Sequence, residues 1–182
     1  SLSEEEQRAI SETVRIEQFK KGTCLLRQGD PHAIKCYFVL KGCVRQFFVD
    51  ESGKEVTSNF FTEEQAIPIF NDLKQHELSK YSFSCLEDSI LVIGEHDSEQ
   101  VMYNNYSQLE TMTRKMMEIN LIEAQDEFAE FIKSSPEERY KAIQKKRPHL
   151  IQRVPQHQLA SFLGMTPESL SRIKKRMNKD KW

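Results

Sequence analysis

Residues 156–176, with the sequence QHQLASFLGMTPESLSRIKKR, constrain the fold of this 182-residue chain more than any other segment. Ala160 stands where a first helix must approach a second one closely, and Leu170 points back into the corner between them. Gly164 occupies the turn, where the backbone requires a positive φ that glycine adopts at little cost. This spacing predicts a helix-turn-helix, a motif whose natural partner is double-stranded DNA.

The second helix of this motif has its own start signals. Thr166 is a good N-cap and Pro167 suits the first helical position, so we expect the helix to begin there. Its first turns present three polar side chains that would face base edges in the major groove: Glu168, Ser169 and Arg172. Other polar side chains of the motif would contact phosphates, or form a solvated charged face: Gln156, Lys174, Lys175 and Arg176. The buried side is predicted to contain Leu159, Phe162, Leu163, Met165 and Ile173.

An ordinary helical hairpin is the alternative interpretation, and the charge distribution argues against it. From residue 139 to residue 182 the chain has 12 Lys and Arg and 2 acidic residues, a net charge of +10. Residues 1–138 have 14 basic and 26 acidic residues, a net charge of −12. The overall charge of −2 is therefore the sum of an acidic N-terminal part and a basic C-terminal part. Such an end attracts a polyanion, while the rest of the chain is repelled from phosphates.

Short apolar runs separated by turn residues fill most of the first half of the chain. Glycines at positions 22, 29, 42 and 53 punctuate this segment. The intervening runs predict strands at residues 23–27, 33–40, 43–49 and 55–61, and further strands are predicted at 80–86 and 89–94. Regularly spaced short strands of this kind are typical of a sandwich or jelly roll.

Four runs in this β region carry a family resemblance. They are KG, LLRQGD, YFVLKGCVR and DESGKE, at residues 21–22, 25–30, 37–45 and 50–55. With a long helix and a helix-turn-helix after them, the chain resembles the Crp/Fnr family of bacterial transcription regulators over nearly its whole length. The resemblance implies an α+β fold with a cyclic-nucleotide-binding-like jelly roll over residues 1–96, a dimerisation helix over 97–133 and a helix-turn-helix DNA-binding domain over 134–182. It also implies a homodimer that reads a palindromic operator and is not an enzyme, with RNA polymerase as a candidate partner.

The sensor pocket departs from the family pattern. In cyclic-nucleotide-binding members, a Gly-Glu pair and a later Arg hold the ribose and the cyclic phosphate. The pair falls near Pro68 and Ile69 here, and the Arg position falls on Lys80. Proline has no N–H to offer, isoleucine cannot bond a hydroxyl, and lysine lacks the bidentate fork. We therefore expect a different small-molecule effector or none, and a cyclic nucleotide held by altered contacts is the less favoured alternative. Lys80, Tyr81 and Ser82 would supply the polar lining of the pocket, or be ordinary strand residues.

Residues 97–133 contain no Pro or Gly and are rich in helix formers, which predicts one long helix. An apolar seam with 3-4-3 spacing runs along it, as in two heptads of a coiled coil. The seam consists of Leu109, Met112, Met116 and Ile119. We expect it to pair with a second copy of the chain, and packing within one chain is the alternative. The following residues, SSPEE at 134–138, have the cap, proline and acids of a new helix that runs to about residue 146.

Two other functions are alternatives to DNA binding. A jelly roll also serves cupin-type metalloenzymes, whose sites need converging histidines, commonly with an H-x-H pair. The five histidines of this chain show no such spacing, so we expect no metal site. The second rival is a sensor that dimerises and contacts another protein without reading DNA.

Compartment and redox state follow from composition. No apolar run approaches the roughly 20 residues of a membrane span, and the acidic opening SLSEEEQ does not resemble a signal peptide. A cytoplasmic protein without a membrane partner is therefore expected. The four cysteines, Cys24, Cys36, Cys43 and Cys85, are dispersed among apolar neighbours. We expect buried reduced thiols in preference to disulfides, metal ligands or an iron–sulfur cluster.

Overall fold

The computed structural model describes residues 14–31, 35–69 and 78–179, together with residues 3, 4, 8, 11 and 12. Within these ranges the chain forms strands followed by helices. The strands are β1 (Arg15–Phe19), β2 (Cys24–Leu26), β3 (Lys35–Lys41), β4 (Val44–Val49), β5 (Glu55–Phe61), β6 (Ala66–Ile69), β7 (Ser82–Cys85) and β8 (Ser89–Glu95). The helices are α1 (His96–Asn105), α2 (Ser107–Lys133), α3 (Pro136–Lys146), α4 (Pro148–Arg153), α5 (Gln156–Phe162) and α6 (Pro167–Lys179).

The strands form two four-stranded antiparallel sheets, in the orders β1-β8-β3-β6 and β2-β7-β4-β5. The inner faces of the two sheets enclose an apolar core, as in other β-sandwiches. Its buried members are Leu26, Tyr37, Val39, Val44, Phe61, Ile67, Phe83, Cys85, Leu91 and Ile93. The jelly-roll sandwich predicted from the spacing of short strands is therefore confirmed.

The sequence prediction misses β1 and β6, which are the two edge strands of the first sheet. β6 contains Pro68, and proline argues against a central strand because it cannot donate to a ladder. An edge position accommodates it. β1 has the sequence RIEQF, in which charged and polar residues weaken the apolar signal. Residues 33 and 34, which were predicted to begin the third strand, lie outside the described residues.

The prediction of a single helix over residues 97–133 is wrong. α1 ends at Asn105 and α2 begins at Ser107, with Tyr106 between them at φ −133° and ψ 79°. The two asparagines at positions 104 and 105 are weaker helix formers than their neighbours, which lowers the stability of a continuous helix at this point. α2 alone has 27 residues and contains the whole predicted seam.

The start and turn signals in the C-terminal helices are confirmed. Ser135 caps α3 in a capping box with Glu138, whose carboxylate accepts the Ser135 N–H at 2.8 Å. Gly164 has a φ of 69°, in the left-handed region. Ala160 and Leu170 are 0% and 1% exposed in the corner between α5 and α6. The structure adds α4, which begins at Pro148 just after the helix predicted to end at about residue 146; proline is tolerated at the first position of a helix, so it begins α4 here.

A second core joins the helices to the β-sandwich. Cys43 and Phe60, both from the sandwich, are fully buried in it. The other buried members come from α3 to α6 and their connections: Tyr140, Leu150, Val154, Leu159, Ala160, Leu163, Leu170 and Ile173. Because strand and helix residues share this core, the helical domain is packed on the sandwich as well as being connected to it through α2.

The environments of the cysteines differ from one another. None of the four forms a disulfide, and Cys43 and Cys85 are buried as expected, whereas Cys36 is half-buried. The expectation of burial is wrong for Cys24, which is exposed at the start of the edge strand β2. Among the described helices, none combines the length and the apolar character that crossing a membrane requires.

Candidate nucleic-acid interface

The exposed edge of α6 carries the three residues expected to face DNA bases. Glu168 and Arg172 are exposed, and Ser169 is half-buried. The N–H of Ser169 donates to Oγ1 of Thr166 at 3.2 Å, which is the N-cap bond that the sequence predicts. The Thr166 hydroxyl also donates to Oγ of Ser169 at 3.2 Å. These bonds fix the first turn of α6 and leave its outer side accessible.

Glu168 and Arg172 place opposite charges on this edge. The pKa of the Glu168 carboxyl is lowered, chiefly by a hydrogen bond from its own backbone N–H, then by the Thr166 hydroxyl and the charge of Arg172. Glu168 is therefore an anion at neutral pH and can only accept hydrogen bonds. Nη2 of Arg172 donates to Oγ of Ser169 at 3.4 Å, a long contact that a base edge can replace.

The residues expected to contact phosphates have partners within the chain. Nζ of Lys174 donates to Oε1 of Gln156 at 2.7 Å, which connects α6 to the first residue of α5. Arg176 forms an ion pair with Glu137 of α3, while Lys175 is exposed. Surface pairs of this kind contribute little to stability, so a phosphate can compete for both cations.

Arg139 of α3 supports the turn between α5 and α6 from behind. Its Nε donates to the carbonyl of Phe131 in α2 at 3.1 Å, and its Nη1 donates to the carbonyl of Leu163 at 3.2 Å. A Cβ added to Gly164 would lie 3.0 Å from Nη1 of Arg139 and 3.2 Å from Cζ of Phe131. The end of α2, the start of α3 and the turn of the helix-turn-helix therefore meet at one arginine, which no local sequence pattern marks.

Arg153, the last residue of α4, contacts two turns of the β-sandwich. It forms ion pairs with Glu63, between β5 and β6, and with Glu87, between β7 and β8. Bonding to Arg153 is the largest cause that lowers the pKa of Glu63 to about 2, and the N–H of Gly42 also contributes. The same carboxylates raise the pKa of Arg153. No local sequence pattern indicates this contact either, because the three residues are far apart along the chain.

The candidate effector residues divide between surface and core. Lys80 is exposed, and the ring of Tyr81 packs edge-to-face on Phe48 with 6.1 Å between ring centres. Ser82 is buried, and its Oγ accepts the N–H of Gln28 at 2.9 Å. The backbones of Pro68 and Ile69 lie in β6, opposite Cys36 and Lys35 of β3; their side chains lie outside the described residues.

The predicted seam lies on an open face of α2. Met112, Met116 and Ile119 are 50%, 37% and 56% exposed, and Leu109 is half-buried. Further exposed apolar residues continue along α2 toward its C-terminal end: Leu121, Ile122, Phe128 and Ile132. Among the residues that the structure describes, no group of three or more His, Cys, Asp or Glu side chains is arranged to hold a metal ion.

Comparison with known proteins agrees with this architecture. The family model of the cyclic nucleotide-binding domain matches residues 16–105, and no curated protein matches the sequence. FixK2 from Bradyrhizobium japonicum has a similar structure, with 15% identity, a TM-score of 0.71, and coverage of 92% of this chain and 85% of that one. The global regulator CLP of Xanthomonas campestris, described as c-di-GMP-responsive, has 15% identity, a TM-score of 0.70, and coverage of 98% and 93%.

The Catabolite Activator Protein of Thermus thermophilus is a third similar structure. It has 19% identity and a TM-score of 0.58, and the match covers 99% of this chain and 85% of that one. All three comparisons extend through the sandwich, the long helix and the C-terminal helices. Residues 16–105 thus match the family model of the cyclic nucleotide-binding domain, and the chain as a whole has the fold of solved Crp/Fnr transcription regulators.

Proposed function

We propose that this protein is a homodimeric transcription regulator that binds a palindromic DNA operator through α6. The observation that carries the proposal is the exposure of Glu168 and Arg172 on the outer edge of a capped helix. That helix belongs to a segment, residues 139–182, with a net charge of +10. A positively charged domain that exposes polar side chains at the start of such a helix can insert this helix into the major groove of double-stranded DNA. A regulator of this kind acts in the cytoplasm, with RNA polymerase as a candidate partner.

The proposed base contacts follow from hydrogen-bonding chemistry. Arg172 can donate two bonds to O6 and N7 of a guanine, and Glu168 can accept from the amino group of a cytosine. Ser169 suits either a base or a phosphate. Lys174, Lys175 and Arg176, with Gln156, would fix the register by contacting phosphates.

The proposed dimer would form through α2. A monomer in water would leave the apolar side chains of Met112, Met116 and Ile119, which share one face of α2, uncovered, which is unfavourable unless a partner covers them. A twofold pair of chains would place two α6 helices in successive major grooves, about 34 Å apart. The operator would accordingly be palindromic.

The sensor domain is proposed to bind a small molecule other than a cyclic nucleotide, or none. Exposed Lys80 is a point charge where the family has a bidentate arginine, and the buried hydroxyl of Ser82 is already bonded to Gln28. Calorimetric titration with cyclic AMP and cyclic GMP tests this. We expect no heat of binding at micromolar concentrations, and micromolar affinity for either nucleotide would overturn the proposal.

The DNA-binding function is tested by selecting bound duplexes from a random pool and measuring the affinity of the protein for the selected duplex. Arg172→Ala should weaken binding to the selected duplex by about 1 to 3 kcal/mol and relax the preference for it. Lys175→Ala is the matched control, because loss of a phosphate contact weakens binding to selected and random DNA alike. Weak binding to every duplex at low salt would favour instead a sensor that contacts another protein.

A further inference from the structure

The helical domain covers the open edge of a strand in the sensor domain. β5 is the last strand of the second sheet, so its outward N–H groups have no strand to pair with. The N–H of Thr57 donates to Oγ of Ser161 in α5 at 2.9 Å. Beside it, the rings of Phe60 and Phe162 pack edge-to-face with 5.3 Å between their centres. The contact between the domains is therefore both polar and apolar.

Arg153 adds a second set of contacts between the helical domain and the sandwich. Its Nη1 and Nη2 donate to the two oxygens of Glu63 at 2.8 and 2.9 Å. Its Nε donates to Oε2 of Glu87 at 3.3 Å, and Nη2 also contacts the same carboxylate. Bidentate pairing fixes direction as well as distance, because the planar guanidinium must align with each carboxylate. One side chain of the helical domain thus contacts two separate turns of the sandwich.

Arg147, between α3 and α4, adds a third contact. Its Nη2 donates to the carbonyl of Phe60 at 2.7 Å. Arg147 is half-buried, and burial lowers the pKa of its guanidinium. A cation in this state depends on the docked arrangement for its hydrogen bonds. The contacts of Ser161, Arg147 and Arg153 lie at three separate places in the helical domain, so together they oppose its rotation as well as its separation from the sandwich.

We infer that Arg153 is a positioning residue, which holds the DNA-binding domain in one orientation on the sensor domain. The inference rests on the proposed function: with both heads of a dimer held in this way, the sensor domains set the distance between the two α6 helices. The ion pairs of Arg153 with Glu63 and Glu87 are called the clamp here. Protein that lacks the clamp would still expose Glu168 and Arg172 on α6. It would bind a single half-site normally and lose its discrimination between operators of different spacing.

Amide hydrogen exchange at Thr57 reports the docking without reference to DNA. The Thr57 N–H is protected only while α5 lies on β5, because no neighbouring strand accepts it. Arg153→Gln should raise the exchange rate of Thr57 at least about tenfold, since local opening becomes more frequent. Glu63→Gln combined with Glu87→Gln removes the same clamp from the sensor side and should have the same effect. Arg114→Gln, which breaks an exposed pair with Glu118 within α2, is the matched control and should leave the rate unchanged.

The affinity of the dimer for operators of altered spacing reports the positioning. Each inserted base pair moves one half-site by about 3.4 Å and rotates it by about 35°. The unaltered protein and Arg114→Gln should lose at least about tenfold in affinity when two base pairs are inserted. Arg153→Gln should lose less than about threefold, with unchanged affinity for one half-site. Faster amide exchange at Thr57 together with weaker discrimination of operator spacing in Arg153→Gln would support the inference.

Slow exchange at Thr57 in both clamp variants would overturn the inference, and so would faster exchange with undiminished spacing discrimination. Failure of the proposed function has a different signature, because the unaltered protein would then bind no selected duplex. In that case the exchange rates at Thr57 alone decide whether Arg153 holds the helical domain in place.

Discussion

The guanidinium of Arg139 lies 3.7 Å from the centre of the Phe131 ring, across the junction between α2 and α3. The carbonyls that Arg139 binds, those of Phe131 and Leu163, both lack their usual helical donor. The residue four positions after Leu163 is Pro167, which has no N–H. The N–H four positions after Phe131 belongs to Ser135 and is bonded to Glu138 instead. Arg139 therefore supplies hydrogen-bond donors to the C-terminal ends of two helices. The helix dipole also favours a positive charge at these ends.

Replacing Arg139 by methionine should destabilise the helical domain. Arg139→Met keeps an unbranched side chain of similar length but removes the donor of two hydrogen bonds, which contribute about 0.5 to 1.5 kcal/mol each. The free energy of unfolding, measured with urea, checks the value. Lys141→Met on the same helix is the control, because Lys141 makes only a surface ion pair with Glu137, and a loss of less than about 1 kcal/mol is expected. Equal losses in the two variants would contradict this role of Arg139.

Charges placed on the α2 seam should separate the dimer. In the variant Met112→Glu with Met116→Glu, two carboxylates from each chain would face each other in the apolar seam, which is strongly unfavourable. Light scattering should give the mass of a monomer at micromolar concentration. Arg114→Glu places a carboxylate on the opposite side of the same helix and should leave the protein dimeric. A double variant that stays dimeric would show that the seam is wrongly placed.

Thiol labelling should distinguish Cys24 from Cys43. Cys24 is exposed, whereas Cys43 is completely buried in the core shared by the two domains. Burial raises the pKa of Cys43 to about 12, so it remains a neutral thiol between pH 7 and 9. A disulfide reagent should therefore modify Cys24 rapidly and Cys43 only as fast as the domains open. In Cys24→Ser the fast phase should vanish, and labelling of Cys43 at the rate of Cys24 would contradict the shared core.

The ion pair between Glu63 and Arg153 should give a defined dependence of stability on pH. Because Arg153 lowers the pKa of Glu63 from 4.5 to about 2, the pair stabilises the folded protein fully above pH 4.5. That stabilisation should be lost as the pH falls from 4.5 toward 2. The melting temperature of Glu63→Gln should lie below that of the unaltered protein at pH 7, and the difference should shrink by pH 3. A difference that is constant from pH 7 to pH 3 would exclude a role for the charge of Glu63.

The parts of the fold that could be predicted from sequence depend on local signals. Thr166, Pro167 and Gly164 determine the turn and the start of α6 through their own backbone preferences, so neighbouring residues suffice to place them. Arg153 gave no such signal, because its partners Glu63 and Glu87 are 90 and 66 positions away. In the sequence it looks like one more cation of a basic segment. Its role depends on the docking of two domains, which no local pattern encodes.

The central claim is that two α6 helices read the major groove of one operator. Protection of guanine N7 from methylation, on the duplex selected from a random pool, tests it most directly, because N7 lies in the major groove where Arg172 would donate. We expect two protected clusters related by twofold symmetry and about 10 base pairs apart, and their loss in Arg172→Ala. Bound DNA whose guanines are methylated as readily as in free DNA would contradict the account.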